Sequence, residues 1–370
     1  MPIRSPKIGS ALFIGVLALV VLAACAAPAA PPAAPTVTPP APTTAPTTAP
    51  TQPPPTTAPT TAPTTAPTTA PAAGAPEAVL AKQAQGGFVS SFGWSGNNQT
   101  LTAQVEGSIV QYNAADLTAT NAVSTTFAAQ VFALSPDGSQ VVGLAQDQSV
   151  QLWSAADGKP IVTLENAALP LGATFTPDGS MVATYSGDKI EIQLWDAKTG
   201  KAVKTLSGFQ TAAPVYSAVF APNNQTMAWV SRGTVQFMDV ESGTLGATLQ
   251  FEDFVGAAQF TPDSQSFVTV SAGTVNNQSA GLVQVWNAAD GKMQQELTNP
   301  EFFNGLSVSP TGTYLATATG NTLMTWDWQA GGEAKSATAP GQIAVLDFSN
   351  DGKLLATGDQ DGNIVTWTVE

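Results

Sequence analysis

Tyr112, Trp153, Trp195, Met238, Trp286, Trp326 and Trp367 recur at spacings of 41, 42, 43, 48, 40 and 41, each closing a short run of alternating apolar residues. A period of that length repeats one supersecondary unit, which buries its apolar face only against a neighbouring unit. A turn signal ahead of each aromatic keeps the same phase. It reads Pro136-Asp137-Gly138, Pro177-Asp178-Gly179, Pro262-Asp263-Ser264 and Asn350-Asp351-Gly352, with looser copies at Ser95-Gly96-Asn97-Asn98, Pro222-Asn223-Asn224 and Pro310-Thr311-Gly312. Pro presets φ, Asp and Asn bond their own backbone, and Gly accepts positive φ, so these residues suit hairpin turns. A second turn follows the aromatic at Asp157-Gly158, Thr199-Gly200, Ser242-Gly243, Asp290-Gly291 and Gly331-Gly332. Together the markers predict four short strands per unit.

The first 76 residues have a different composition. Arg4 and Lys7 precede an apolar run from Ile8 to Ala24, short for a membrane span and suited to a secretory signal. The run ends in Leu22-Ala23-Ala24-Cys25, which resembles the lipobox of bacterial lipoproteins. The resemblance implies cleavage before Cys25, acylation there as a durable membrane anchor, and an extracytoplasmic protein. Ala26 stands where the inner-membrane retention signal of Gram-negative lipoproteins has Asp, which implies outer-membrane or surface display. Residues 26–76 are almost entirely Ala, Pro and Thr, too poor in large apolar side chains to offset ordering entropy. They are expected to form a disordered linker, reaching as much as ~150 Å in extended polyproline form. An inert spacer and an O-glycosylated stalk both fit this composition.

Residues 77–370 carry the whole repeat, and about 290 residues suffice for one compact domain without disulfide or metal. They hold 10 basic and 26 acidic residues, a net charge of −16. That balance repels polyanions, and the one basic cluster, Lys198, Lys201 and Lys204, sits beside a turn, so no nucleic-acid partner is expected. The chain has no histidine, which removes the commonest general base, the commonest zinc ligand and every Ser-His or Cys-His dyad. No cofactor is implied.

The stretch Ile192-Gln193-Leu194-Trp195-Asp196-Ala197-Lys198-Thr199-Gly200-Lys201 resembles the WD repeat. So does Asn363-Ile364-Val365-Thr366-Trp367, preceded by Leu354-Leu355-Ala356-Thr357-Gly358-Asp359. The resemblance implies an all-β fold over residues 77–370: a seven-bladed β-propeller of four-stranded antiparallel blades, monomeric, with each blade running from an inner strand to a rim strand. The last unit stops after its third strand, and Glu77 to Gln85 can supply the fourth, with Ala78-Val79-Leu80-Ala81 where a rim strand belongs. That segment is expected to close the ring and remove two exposed edges. Residues recurring once per blade at one phase, such as Trp153, Trp195, Trp286, Trp326 and Trp367, are expected to pack between sheets rather than to bind a ligand.

Repeats of this family often carry a Gly-His pair before the inner strand; here Gly208-Phe209 fills that slot once. Without histidine, Glu106, Asp147 and Asp361, six residues before their aromatics, are expected to cap turns, leaving stability to apolar packing. Asp359-Gln360-Asp361-Gly362-Asn363 has some of the acids of a calcium loop, but Ile364 occupies the position that requires glycine, so no metal is expected. Repeated acids argue for turn chemistry rather than catalysis. Function is therefore expected where the period breaks. One break is the insertion Ala272 to Gly281, placed beside Arg232; the other is a set of aromatics between units, Phe209, Phe254, Phe302 and Phe303. By order they share one face, where aromatics beside Glu252, Asp253 and Glu301 suit a protein or peptide partner with basic residues. The leading expectation is a non-catalytic, membrane-anchored, extracytoplasmic interaction scaffold. A carbohydrate or cell-wall binder and a carboxylate- or metal-dependent hydrolase are the alternatives.

Overall fold

The computed structural model describes residues 78–85, 87–186, 190–210, 215–330 and 334–369. The apolar leader, Cys25 and the Ala/Pro/Thr-rich stretch lie outside the described residues. The rest forms seven four-stranded antiparallel sheets. In blades 1 to 6, residues 89–124, 128–163, 172–207, 215–250, 255–299 and 305–338, strand order in the sheet follows chain order. The inner strands touch in succession, and Ile343–Phe348 of blade 7 returns to Val89–Trp94 of blade 1. The fold is a seven-bladed β-propeller.

Blade 7 takes its fourth strand from the start of the domain. Ala78–Gln85 pairs antiparallel with Asn363–Val369, from Ala78 opposite Val369 to Gln85 opposite Asn363, with a register shift between Leu80 and Lys82. The expected closure by Glu77 to Gln85 is observed, over Ala78–Gln85. A second latch joins the turns, where the Asn350 N–H donates to Asn98 Oδ1 at 2.8 Å and Asn350 Nδ2 to Ser95 O at 3.1 Å.

The core is divided among seven apolar clusters, each shared by two neighbouring blades. In one, Ile192, Leu194 and Leu206 of blade 3 pack on Phe220, Met227 and Met238 of blade 4. Each fully buried large side chain contributes about 1.5–3 kcal/mol relative to exposure. Trp195, Trp326 and Trp367 are buried as expected, and the packing is not purely apolar. The indole N–H groups of Trp195, Trp286, Trp326 and Trp367 donate to Thr184, Thr269, Thr317 and Thr357 at 2.9, 2.9, 2.7 and 2.8 Å. Each threonine sits two residues beyond the tryptophan's cross-strand partner. A threonine thus supplies the indole's partner without histidine, which corrects the expectation of apolar packing alone.

Blade 4 reverses this arrangement. Met238 occupies the tryptophan position and Trp229 the threonine position, so the indole moves to the neighbouring strand while the pair keeps its bulk. Phe209, in the slot where related repeats place histidine, stacks on Trp229 with ring centroids 4.0 Å apart.

The turns leaving the inner strands share a device that reaches one residue further back than the Pro-Asp-Gly signal. Thr176 Oγ1 donates to Asp178 Oδ1 at 2.7 Å and accepts the Met181 N–H at 3.0 Å, while Asp178 accepts the Ser180 N–H. Ser135, Thr261 and Ser349 repeat this pattern, and Ser95 and Ser309 follow it with Asn97 and Thr311 in place of the acid. The Ser349 hydroxyl holds the Asp351 carboxyl below its usual range. The turn of blade 4 is the exception, with Ala221 fully buried at the hydroxyl position and Asn223 in the acid position.

Two outcomes follow from closure and from the turns. A chain beginning at Gly86 should melt about 5–10 °C below one beginning at Glu77, because it loses a paired strand and exposes an edge; differential scanning calorimetry of the two is the check. Thr176→Ala should cost about 1 kcal/mol and Ala221→Ser should gain up to about 1 kcal/mol, by restoring the bond its turn lacks. Chemical denaturation of both variants measures the two signs.

Candidate interaction face at the fifth blade

The insertion is not an irregular loop. Ser266–Val275 and Gln278–Asn287 continue their ladder through Ala272 opposite Gly281 to Val275 opposite Gln278, where Asn276 and Asn277 turn the chain. Both asparagines have positive φ, 52° and 61°, as a tight two-residue hairpin turn requires. Ten-residue strands replace strands of four to eight in the other blades, so the hairpin rises above its neighbours as a regular ribbon. The sequence reading missed this because the stretch is rich in Gly, Asn and Ser.

At the base of the ribbon lies a groove of about 210 Å³ bounded by Gln250, Phe251, Glu252, Ala272, Leu282 and Glu296, among others. Buried Gln284 supports its floor, with Nε2 donating to Glu296 Oε2 at 2.8 Å. The hairpin tip of blade 4, which carries exposed Arg232, is tied to the groove by the Phe251 N–H donating to Gly233 O at 2.9 Å. On the other flank, Gly281 leaves no room for a Cβ beside Glu301 O and the Phe303 ring, so the inter-blade segment seats closely on the ribbon. Both period breaks therefore meet at one place on the face where the chain enters each inner strand.

The aromatics proposed from sequence separate into two groups. Phe209 and Phe303 are buried, at 6% and 8% exposure, against Trp229 and Trp326. Phe251 packs on Trp286 in the same way. These rings close their blades from above, so Phe209 and Phe303 are withdrawn from the accessible surface. Phe254 is half-buried, edge-on to Tyr216 at 5.4 Å, and Phe302 is 55% exposed. Arg232, Phe254 and Phe302 keep an accessible position. Glu252, Asp253 and Glu296 are exposed around them. Sequence reasoning passed over Leu169, Leu171 and Ile190, which are 58%, 52% and 41% exposed on the same side of blade 3. Two leucines flanking a proline in a short connection were the available signal.

The acids are engaged in turns. Asp359 caps its tight turn by accepting the N–H groups of Asp361 at 3.0 Å and Asn363 at 2.7 Å. Asp147 caps as expected, accepting from Ser149 N and Oγ; in blade 7 the capping acid is Asp359 and not Asp361. Asp157 is held at about pKa 2 chiefly by its bond to Lys159, 2.6 Å away. Among the described residues no group of three or more Cys, Asp and Glu could hold a metal ion. Lys204 Nζ donates to the carbonyls of Val240 and Glu241 in the next blade, so it serves a blade junction. The repeated turn acids are thus committed to capping, while Glu252, Asp253 and Glu296 remain exposed beside the groove.

Asp347 differs from the turn acids. It lies on the inner strand of blade 7, in the wall of the central channel, and burial pushes its carboxyl up to about 7 against the lowering effect of bonds from Ser307 Oγ and the Phe348 N–H. A carboxyl whose folded pKa exceeds its unfolded one adds stability that is full below the unfolded value and is lost as pH rises through the folded value. The protein should therefore unfold at a higher denaturant concentration at about pH 5.5 than at about pH 8, and Asp347→Asn should flatten that slope. Equilibrium urea unfolding across this range checks the sign.

Comparison with known proteins agrees with the architecture. The model of the WD domain, G-beta repeat, matches residues 336–368, which span the outer strand of blade 6 and the first three strands of blade 7. The chain is 23% identical over 237 residues to the serine-threonine kinase receptor-associated protein of mouse, covering 63% of this chain and 65% of that one. It is 26% identical over 198 residues to a WD repeat-containing protein of Synechocystis, covering 53% and 55%. Telomerase protein component 1 of rat matches at 25% over 215 residues, 57% of this chain and 8% of that one. The chain thus matches about 65% of the length of the kinase receptor-associated relatives. These findings overturn the membrane-anchored, extracytoplasmic assignment made from Cys25. The similarity runs to the serine-threonine kinase receptor-associated protein and to a WD repeat-containing protein.

Proposed function

We propose that this chain is a non-catalytic protein-interaction scaffold whose partner docks on the loop face of blade 5. The observation that carries the reading is the ribbon formed by Ser266–Val275 and Gln278–Asn287, which breaks an otherwise regular period and walls an acidic groove. Glu252 and Glu296 supply steering for a basic segment, and Phe302 with Phe254 supplies apolar contact area. Arg232, on the flanking hairpin tip, sets the other edge of the footprint. Residues 77–370 are taken as the propeller domain, with 1–24 and 25–76 as separate leader and connecting segments on compositional grounds. The relatives named for association with a kinase receptor support a binding role and do not define the partner here.

Selection of a random peptide library on the immobilised full chain tests this. Recovered peptides should be enriched in Lys or Arg next to large apolar residues. Their affinity should fall about tenfold or more in a Phe302→Ala, Glu252→Lys variant, as expected when an aromatic anchor and a charge are lost together. Peptides of no preferred charge, or equal affinity for the variant, would remove this face from consideration.

A further inference from the structure

The central channel holds a second feature, independent of the fifth blade. A cavity of about 420 Å³ lies at the turn end of the channel and takes lining residues from all seven blades. Its wall is mixed: Phe92, Leu134, Phe175, Phe260, Val308 and Phe348, with Pro136, Pro222, Pro262 and Pro310 around the turn end, alternate with Ser135, Thr174, Gln259 and Asn350. Among the lining residues Asp347 is the one titratable group, and no Lys or Arg reaches the wall. No ion pair involving Asp347 is found among the described residues. Of the strands packed against it, Gly305–Val308 and Val89–Trp94 carry no charged residue. Leu354–Asp359 carries only Asp359, which pairs with Ile343 at the far end of the strand.

The equivalent positions of the two preceding blades carry neutral side chains that bond across the junction. Gln259 Oε1 accepts the Val308 N–H of the next blade at 2.9 Å, and Ser307 Oγ accepts the Phe348 N–H of the next at 3.2 Å. Neutral side chains thus tie one inner strand to the next. Asp347 is the following member of this series, and a neutral Asn or Ser would serve the same purpose without desolvating a charge. Its carboxylate receives one side-chain bond, from Ser307 Oγ at 3.3 Å. An acid at such a place is costly unless an opposite charge arrives to pair with it.

We propose that the turn end of the channel binds a compact organic cation, an alkylammonium or alkylguanidinium group, with Asp347 as counter-charge and the Phe and Pro wall taking the alkyl stem. A carboxylate recessed in a cavity and partly desolvated attracts a cation more strongly than one on the open surface, and a cavity of this size admits a small molecule. A free amine or guanidine and the Lys or Arg side chain of an incoming segment share this chemistry.

Calorimetric titration of the full chain with n-butylguanidinium, with acetyl-arginine methylamide and with neutral n-butylurea tests the site. Binding of n-butylguanidinium but not of the arginine derivative assigns a free small molecule, and binding of both assigns a side chain as an acceptable source. Either probe should bind at least tenfold more weakly to Asp347→Asn, by the loss of a charge-assisted bond. In the unaltered protein its affinity should fall as pH is lowered from about 8 to about 5, since the probe stays charged while the acid is neutralised. This second readout holds even if the variant folds poorly. Equal binding of n-butylurea, an affinity insensitive to pH, or no binding of either cation would overturn the proposal.

Discussion

Every blade in this protein depends on its two neighbours, because each apolar cluster is assembled from two adjacent sheets and none is complete within one. Such an arrangement has no stable fragment of one or two units, and it leaves raw faces wherever the ring is open. The pairing of Ala78–Gln85 with Asn363–Val369 is therefore the constraint from which the rest follows. It joins the start and the end of the domain in one sheet, so the ring cannot open without breaking a strand ladder. The Asn350 bonds to Asn98 and Ser95 reinforce the same seam on the turn side.

A closed ring supplies a rigid frame on which departures from the repeat become visible as function. The frame is maintained by modest polar devices rather than by histidine. Four indole–threonine bonds fix tryptophans within their blades, and a Ser or Thr hydroxyl before each of six turns ties the turn acid, Asn or Thr to the following strand. Where the indole pattern fails, in blade 4, the indole changes strands and Phe209 stacks on it. The space is filled either way. Against this background the ribbon of blade 5 and the lone acid of the channel are exceptions that the frame itself does not need. They lie at different ends of the molecule's inner strands and call for different ligands, a basic peptide segment for one and a compact cation for the other.

Much of the frame was legible along the chain. The aromatic period set the number of blades, the Pro-Asp-Gly and Asp-Gly turns set four strands per blade, and the unpaired last unit pointed to Glu77 to Gln85 as its partner. Less of the site could be read. Phe209, Phe254, Phe302 and Phe303 are equivalent as sequence, yet two are buried against tryptophans and two are accessible, because burial depends on what the neighbouring blade places above each ring. Glu296 and Glu252 border one groove only through strand pairing, far from their positions along the chain. The lipid anchor read from Cys25 rested on a short local motif, and the relatives direct the assignment elsewhere.

By itself, then, the sequence determined periodic properties: the count of blades, the turns and the absence of histidine. These are local, since a turn or an alternating strand is encoded within a few consecutive residues. Only the tertiary structure decided that the insertion is a ribbon, that Phe302 is open while Phe303 is closed, and that Asp347 is the one titratable group lining the channel cavity. Each of these is set by residues from other blades, brought together by closing the ring, and no spacing along the chain records them.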